Sequence, residues 1–452
     1  MSNKFYSTNL RASLTTFREA LLKGLAPDGG LYMPANLPLL NPGDLEEICG
    51  ATYPALAAKI LGMLIGDEID RGHLADICSE IYTFSIPLNR VYDNNYLMRL
   101  DQGPTASFKD FASLFMGRLM QYFLDIENRH ITILTATSGD TGSAVARAFY
   151  GLPNINVVIL FPLREVTDMQ RLQMTTLKGN IRVIAVEGKF DDCQAFAKKA
   201  FMDESLAGLM LSSANSINIG RLLPQSIYYF WAWARLSGKA EDRMVFSVPC
   251  GNFGNIMGGI IAREMGLPIE KFIIATNEND EVPVYFSTGK YKPLSPSRNC
   301  ISSAMNVGHP SNFARIIALY GGRMDENGSI SDPPDLGRMR QDFFPVMVKE
   351  EETRDAIRSC YNHYSVLLEP HGAVAWSGLQ RYIEREAPSP EGRYFISLET
   401  AHPGKFREEI SSILNFTPPL PDSLAGLKGK SEEYVSLPDD YEVFRDFLIK
   451  NY

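Results

Sequence analysis

Short, continuous runs of apolar residues alternate along this chain with longer segments of helical pattern. Such runs are typical of parallel β-strands buried on both faces, and the longer segments are typical of the helices that connect them. The alternation begins near residue 130 and continues to about residue 403. It predicts an α/β protein with at least two domains built on parallel sheets. The clearest runs are ITILTA, INVVILFP, IRVIAVEG, MVFSV, KFIIAT and RYFISLE.

Helical patterns flank this region. An amphipathic helix is expected within residues 17–38, where it runs into a loop rich in proline and glycine. A strand and a loop precede a long helix, which is expected from about Phe108 to Glu127. Residues 417–430 have the composition of irregular surface chain. With 452 residues the chain exceeds the roughly 250–300 residues that one core holds, so two or three domains are expected.

Charge and cysteine content restrict the class of protein. The net charge of -9 argues against a nucleic-acid-binding surface, which needs a basic stripe, and against an anionic membrane. No apolar run approaches the ~18 residues of a membrane span, and the N-terminus has no secretory pattern. The six cysteines are scattered without zinc or redox spacing, so neither a metal site nor a disulfide framework is expected. These features indicate a reduced, cytoplasmic protein of enzyme size.

Three turns rich in small residues follow predicted strands, and ligands of open parallel sheets bind at such strand ends. The first turn is TSGDTG, residues 137–142, whose glycines allow backbone N–H groups to approach an anion. A turn that merely requires glycine explains this segment equally well. Its candidate ligand residues are Ser138, Gly139, Asp140 and Thr141.

The other two turns are weaker indications by themselves. PCGNFGN, residues 249–255, offers a concave array of donors suited to a phosphate, although it matches no dinucleotide fingerprint and no Walker loop. SANSINIGR, residues 213–221, groups several polar side chains before a helix, and a plain surface loop explains it as well. The candidates are Gly251, Asn252, Phe253, Gly254, Asn255, Asn215, Ser216, Asn218 and Arg221.

Lys109 lies between two phenylalanines at the start of the long helix. Lysines are mostly solvated, so local sequence alone favours a surface side chain. In an apolar pocket, however, the pKa of a lysine falls and the neutral amine becomes a nucleophile that can form a Schiff base. Both interpretations are compatible with the SFKDF segment.

The segment GPTASFKDF, residues 103–111, resembles the GPT-x-x-FKDF segment of threonine synthases, whose lysine carries pyridoxal phosphate. Seven further segments match that family in the same order, and together the matches span about residues 5–410. The chain is thereby identified as similar to the threonine synthase family, whose enzymes have the tryptophan synthase β-like fold (fold type II). The further segments are GLAPDGGLYMP, TATSGDTGSA, SANSINIGRLLPQ, VPCGNFGN, ATNENDE, LEPHGAVA and ETAHPGKF.

The resemblance implies two parallel-sheet α/β domains and a small N-terminal domain. The N-terminal domain is expected at residues 1–92, and the large cofactor-binding domain at residues 93–129 and 226–452. The small substrate-side domain, residues 130–225, is expected to be inserted within the large one. A monomer and a homodimer are both compatible with the sequence. Regulation by S-adenosylmethionine is not expected, since the N-terminal part has no evident regulatory extension.

The resemblance also implies how pyridoxal phosphate is bound. Lys109 would form the Schiff base and move protons, and the loop Gly251–Asn255 would hold the cofactor phosphate. Thr400 would form a hydrogen bond with the pyridine nitrogen, and a hydroxyl there is expected to leave that nitrogen largely unprotonated. Phe108 and Phe111 would help to bury the Schiff base.

For the substrate, the resemblance implies a small phosphorylated amino acid, O-phospho-L-homoserine. The TSGDTG turn, with Ser138, Gly139, Asp140 and Thr141, would hold its carboxylate at a helix N-terminus. Its phosphate would be bound by a set that includes an arginine, which suits phosphate because it donates two parallel hydrogen bonds. The candidates for that set are Thr105, Ser216, Asn218 and Arg221.

Asp140 and Asn306 differ from the residues that many relatives have at these positions. Many relatives of this fold type place an asparagine near the cofactor O3′, whereas this chain has Asp140, as is usual for threonine synthases. An ionised aspartate cannot donate a hydrogen bond to a phenolate. Asn306 stands where the family often has an aspartate, and His309 is expected in a turn before Pro310 rather than as a base.

The implied reaction converts O-phospho-L-homoserine and water to L-threonine and phosphate by γ-elimination and β-addition of water. The nearest alternative is a phospho-lyase or dehydratase with the same site that releases 2-oxobutyrate. A catalytically silent binding protein is a second alternative, and it would form no Schiff base at Lys109. A nicotinamide dehydrogenase is a poorer fit, because the chain lacks the glycine fingerprint of that class.

Overall fold

The computed structural model describes residues 3–137, 139–239 and 241–452, and its strands form two main sheets. The strands are β1 (Phe5–Ser7), β2 (Tyr32–Pro34), β3 (Leu88–Tyr92), β4 (Asn95–Arg99), β5 (Ile131–Ala136), β6 (Ile155–Pro162), β7 (Ile181–Val186), β8 (Leu211–Ser212), β9 (Arg243–Pro249), β10 (Ile269–Thr276), β11 (Arg323–Met324), β12 (Ile330–Asp332), β13 (Phe343–Met347), β14 (Arg393–Glu399) and β15 (Val435–Leu437).

Helices pack on both sheets and link successive strands. They are α1 (Phe17–Lys23), α2 (Pro42–Gly50), α3 (Tyr53–Ile65), α4 (Arg71–Ile81), α5 (Lys109–Glu127), α6 (Asp140–Phe149), α7 (Asp168–Thr175), α8 (Phe190–Met202), α9 (Ile219–Leu222), α10 (Ile227–Leu236), α11 (Gly254–Glu264), α12 (Glu281–Thr288), α13 (Phe313–Leu319), α14 (Leu336–Asp342), α15 (Glu350–Tyr364), α16 (Pro370–Glu386), α17 (Arg407–Leu414), α18 (Asp422–Ala425) and α19 (Tyr441–Asn451). Among these described helices, none is long and apolar enough to cross a membrane.

The larger sheet has six strands in the order β13-β10-β9-β14-β4-β3, all parallel except for the antiparallel β3–β4 pair at one edge. The smaller sheet has five parallel strands in the order β15-β7-β6-β5-β8. Every residue of β5 is buried, as expected for a strand covered by helices on both faces. The predicted α/β class with two parallel sheets is confirmed.

The division of the chain differs from the predicted one at two points. Strand β3 lies in the larger sheet, so that domain begins before residue 93. At the other end, β15 pairs with β7 of the smaller sheet, and α19 packs on α8. Residues 435–452 therefore belong with the smaller domain rather than with the larger one. Strand β15 has only three residues, which are too few to show a strand pattern in the sequence. The sequence therefore did not predict that the chain returns to the smaller domain.

The C-terminal helix α19 inserts an apolar face into the core of the smaller domain. Phe444 is fully buried and stacks on Phe196 of α8, with ring centroids 5.7 Å apart. Leu448 is fully buried as well, and Tyr441 packs edge-on against Phe196. The smaller domain is thus completed by chain that is distant in sequence from its other strands.

Replacing Phe444 with Ala is expected to destabilise the smaller domain by about 3–4 kcal/mol, because the change leaves a cavity in a packed aromatic cluster. Hydrogen exchange of the β7 and α8 amides measures this effect locally. Val443→Ala is the matched control, since Val443 lies on the exposed side of the same helix. Unchanged exchange in Phe444→Ala would contradict the role assigned to α19.

Candidate active site

A cavity of about 1690 Å³ lies where the carboxyl ends of the two sheets face each other. All three turns singled out in the sequence reach it, and so does the residue after β14. The sequence-predicted residues that line the cavity are Lys109, Asp140, Thr141, Asn215, Ser216, Arg221, Gly251, Asn252, Phe253, Gly254, Asn255 and Thr400. Ser138, also predicted, lies outside the described residues.

Lys109 is the first residue of α5, and its side chain is 14% exposed. The loop before it is tied to the end of β14, because Phe108 donates its N–H to the Thr400 carbonyl at 2.9 Å and His402 donates to the Ala106 carbonyl at 3.1 Å. Lys109 and Thr400 are thereby fixed beside the same cavity. Burial lowers the pKa of Lys109, and Asp140 opposes that effect only in part. Lys109 therefore meets the condition for an amine nucleophile.

A second buried lysine, Lys405, forms an ion pair with Asp140. Its Nζ lies 2.7 Å from Asp140 Oδ1, and its side chain has no exposed surface. Lys109 Nζ lies 3.9 Å from the other oxygen of Asp140. Burial alone would raise the pKa of Asp140, but Lys405 and Lys109 outweigh burial and hold that pKa below its ordinary value. Asp140 is therefore ionised and offers only acceptor oxygens to the cavity.

Lys405 was not among the predicted site residues, although it lies in the ETAHPGKF segment. Replacing Lys405 with Met is expected to lower the free energy of unfolding of the cofactor-free protein by about 3 kcal/mol, because Asp140 then stays buried without its nearest cation. Urea denaturation measures the loss. The double variant Lys405→Met/Asp140→Asn is the matched control and is expected to recover most of the stability. A double variant as unstable as the single one would rule out this coupling.

The loop Gly251–Asn255 forms a cradle at the start of α11. The helix begins at Gly254, so the N–H groups of Gly254 and Asn255 have no acceptor within the helix and are available to an anion. A Cβ at Gly251 would lie 2.6 Å from the Ala304 carbonyl oxygen, so the turn requires glycine there. Asn252 and Asn255 brace the loop, because Asn252 Oδ1 accepts the Ser311 N–H and Asn255 Nδ2 donates to the Pro249 carbonyl. The donor set fits a phosphate group.

Arg221 is the one arginine in the predicted substrate set, and its guanidinium is buried at the cavity. Nη1 donates to the Ala214 carbonyl at 2.6 Å, whereas Nε is buried without a hydrogen-bond partner among the described residues. Burial lowers the pKa of Arg221 to about 10. Ser216 lies on the same side of the cavity and accepts a hydrogen bond from Asn252 Nδ2. An anionic ligand would supply the charge and the acceptor that Arg221 lacks.

Three predicted substrate residues have structural partners instead. Thr105 donates its hydroxyl to Asp110 at 2.6 Å and does not line the cavity. Asn218 is fully buried, and its side-chain amide binds the carbonyls of Leu21 and Ser213. Gly139 donates its N–H to Thr137 Oγ1 at 2.9 Å. These contacts give Thr105 and Asn218 structural roles, whereas Ser216 and Arg221 face the cavity.

Arg315 is a buried residue that the sequence did not single out. Its guanidinium donates to the carbonyls of Tyr32 and Ile217, at 3.1 and 2.6 Å, and so ties the loop of residues 213–221 to the N-terminal domain. Burial lowers its pKa to about 9. The segment of residues 303–315 thus braces the substrate side of the cavity through Arg315. Asn306 is structural too, since its Oδ1 accepts the Cys300 N–H at 3.1 Å.

The arrangement is that of a carbonyl-cofactor enzyme: a buried lysine, a phosphate cradle and a hydroxyl at the end of the same sheet. Among residues 3–137, 139–239 and 241–452, no group of three His, Cys, Asp or Glu side chains is placed to hold a metal ion. A model of the family described as pyridoxal-phosphate dependent enzyme matches residues 85–398. The protein is thus a pyridoxal-phosphate-dependent enzyme.

Models of the threonine synthase N terminus and C-terminal region match residues 4–82 and 372–448. The threonine synthase of Haemophilus influenzae is 40% identical over 96% of this chain and 97% of its own length. The crystal structure of the PLP-bound threonine synthase of Brucella melitensis superposes with a TM-score of 0.92 at 34% identity, covering 99% of both chains. That of the yeast threonine synthase gives a TM-score of 0.90 at 30% identity, covering 99% of this chain and 98% of its own. The chain belongs to the threonine synthase family.

Proposed function

We propose that the protein converts O-phospho-L-homoserine and water to L-threonine and phosphate. The observation that carries this proposal is Arg221, a buried cation at the cavity whose Nε has no hydrogen-bond partner among the described residues. A phosphate on the substrate side chain would accept from that guanidinium. The relatives named above are threonine synthases along the whole length of the chain, which supports the same reaction.

Lys109 is the residue proposed to move protons. When bound to Lys109, pyridoxal phosphate supplies an electron sink that acidifies the C–H bond beside the substrate amino group. Nζ of Lys109 would accept the Cα proton of the substrate and return protons to neighbouring carbons. Asp140 lies 3.9 Å from Nζ and keeps the ammonium beside the cavity between these transfers.

Arg221 and Ser216 are proposed to bind the leaving phosphate. Because Arg221 is fixed by its bond to the Ala214 carbonyl, the guanidinium needs no rearrangement when charge develops on the departing oxygen. Arg315 supports the same loop from behind through the Ile217 carbonyl. The TSGDTG turn, with Asp140 and Thr141 at the start of α6, is proposed to hold the substrate carboxylate through backbone N–H groups.

Product analysis tests the proposal. The holoenzyme is incubated with O-phospho-L-homoserine, and L-threonine, 2-oxobutyrate and phosphate are measured together. Threonine in a one-to-one ratio with phosphate is expected. Abundant 2-oxobutyrate without threonine would instead establish the phospho-lyase, since both outcomes share the elimination of phosphate. Failure to release phosphate at all would contradict both reactions.

We also propose that the protein acts in the cytoplasm. All six cysteines are free thiols, and Cys78, Cys193, Cys250 and Cys360 are buried. Unpaired thiols are usual in a reducing compartment. Cell fractionation tests this location.

The sequence is compatible with both a monomer and a homodimer. Sedimentation equilibrium distinguishes the two.

A further inference from the structure

A buried carboxylate, Glu369, lies directly behind Thr400. Glu369 caps the N-terminus of α16 and has no exposed surface. It accepts four hydrogen bonds: from the N–H groups of His371 and Gly372, at 2.8 and 2.9 Å, from His371 Nδ1, and from the Thr400 hydroxyl at 3.2 Å. The sequence places Glu369 in the LEPHGAVA segment but gives it no role.

The ring of His371 donates a hydrogen bond to Glu369. Its Nε2 accepts the N–H of Ala304 at 3.1 Å, so Nε2 carries no proton and the ring proton lies on Nδ1. Nδ1 therefore donates to Glu369. Three N–H donors therefore point at the Glu369 oxygens: the backbone N–H groups of His371 and Gly372, and Nδ1–H of His371. Donors of this kind stabilise a carboxylate.

The other charged groups around Glu369 do not cancel its charge. Glu399 accepts the Glu369 N–H at 2.7 Å, and burial together with the charge of Glu369 raises the pKa of Glu399 well above its ordinary value. Burial and the neighbouring carboxylate thus favour the neutral form of Glu399, whose Oε2 is buried without a hydrogen-bond partner among the described residues. Arg99 is paired with Asp101, with Nε 2.9 Å from Oδ1. One net negative charge remains behind Thr400.

The proton of Thr400 is consequently directed away from the cavity. A threonine hydroxyl has one proton, and here that proton is donated to Glu369. Thr400 thus presents a lone pair to the cavity, and a group placed against it must be a donor. If the Thr400 hydroxyl rotated to donate into the cavity, the buried carboxylate of Glu369 would lose one of its hydrogen-bond donors. This loss is costly because charged acceptors bind donors more strongly than neutral acceptors do.

We propose that Glu369, acting through Thr400, holds the pyridine nitrogen of the cofactor in its protonated form. The proposal rests on the proposed function and on the placement of Thr400 at the pyridine nitrogen, which the resemblance to the family implies and which the position of Thr400 in the cavity supports. It reverses the expectation from sequence that a hydroxyl leaves this nitrogen unprotonated. A pyridinium ring withdraws electrons more strongly than a pyridine ring, which suits a reaction that removes two protons from the substrate. Glu369 is a positioning residue, since it acts through Thr400.

Nitrogen-15 NMR of the holoenzyme, reconstituted with pyridoxal phosphate labelled at the ring nitrogen, tests the proposal without substrate. In the unsubstituted protein the resonance is expected at the position of a protonated pyridine. In Glu369→Gln it is expected to move to that of an unprotonated pyridine, and Thr400→Ala is expected to do the same. Glu399→Gln, which replaces a neutral acid by a neutral amide of the same shape, is the matched control and is expected to leave the resonance in place.

An unprotonated resonance in the unsubstituted protein would overturn the proposal, and so would a protonated one in Glu369→Gln. Absorbance of the Schiff base verifies that each variant has folded and bound the cofactor. Because no substrate is present, the measurement is independent of product analysis. A protein that makes no threonine can still show the protonated nitrogen, and a threonine-forming protein can fail to show it.

Discussion

Lys109→Ala is expected to lower the rate of threonine formation by at least ~10⁴-fold, because one side chain supplies both the covalent link to the cofactor and the proton transfers. The near-violet absorbance of the Schiff base should be lost, and borohydride should no longer fix the cofactor to the protein. Steady-state assays of threonine and phosphate measure the rate, and mass spectrometry of the reduced protein locates the label.

Lys428→Ala is the matched control for this prediction. Lys428 is an exposed lysine outside the cavity, so its removal should change neither the rate nor the absorbance. Added primary amines are expected to restore part of the activity of Lys109→Ala, since a free amine can replace the missing base. A borohydride-stable link that persists in Lys109→Ala would show that another amine carries the cofactor.

Arg221→Met is expected to reduce kcat/KM for O-phospho-L-homoserine by about 10²–10³-fold, because the substrate phosphate loses a buried cation. The absorbance of the bound cofactor should be unchanged, since the cofactor is held by Lys109 and the cradle at residues 251–255. Inorganic phosphate should inhibit the unsubstituted protein competitively and the variant much less. Stability should be retained, because a buried guanidinium without a carboxylate partner costs desolvation that methionine avoids.

Arg358→Met is the matched control, since Arg358 is an exposed arginine on α15. Arg221→Lys should lie between the two variants, because lysine keeps the charge but loses the paired donors. If Arg221→Met bound phosphate and substrate as well as the unsubstituted protein does, Arg221 would not be the phosphate ligand, and Ser216 with the helix N-termini would have to bind it alone.

The fold and the cavity follow from local sequence because each rests on short-range rules. Runs such as ITILTA are buried strands, and the turns that follow them need glycine for steric reasons, as Gly251 shows beside the Ala304 carbonyl. Since carboxyl ends of parallel strands share one edge, turns far apart in sequence come together at one cavity. The role of Lys109 could be predicted only from the resemblance to a family, because a lysine between two phenylalanines can also lie on a protein surface.

The charged residues behind the cavity could not be predicted in this way. Lys405 and Glu369 look like ordinary solvated side chains in the sequence, and only the contacts with Asp140 and Thr400 reveal their burial. The same limit applies to Thr105 and Asn218, which the sequence offered as candidates for the substrate phosphate. Thr105 has a competing acceptor in Asp110, and Asn218 has two carbonyls, none of which a sequence pattern can reveal. Hydrogen-bond partners are decided by tertiary packing.

The late position of β15 in the chain has a consequence during synthesis. On the ribosome, β5 to β8 and every residue assigned to the cavity are made before β15 and α19. Until those two elements follow, the edge of β7 and the apolar face of α8 have no cover, and an uncovered strand edge is a site of aggregation. A nascent chain interrupted after residue 430 would hold the whole catalytic set yet expose both surfaces. Chaperones and proteases could thus recognise an unfinished chain by a feature remote from its chemistry.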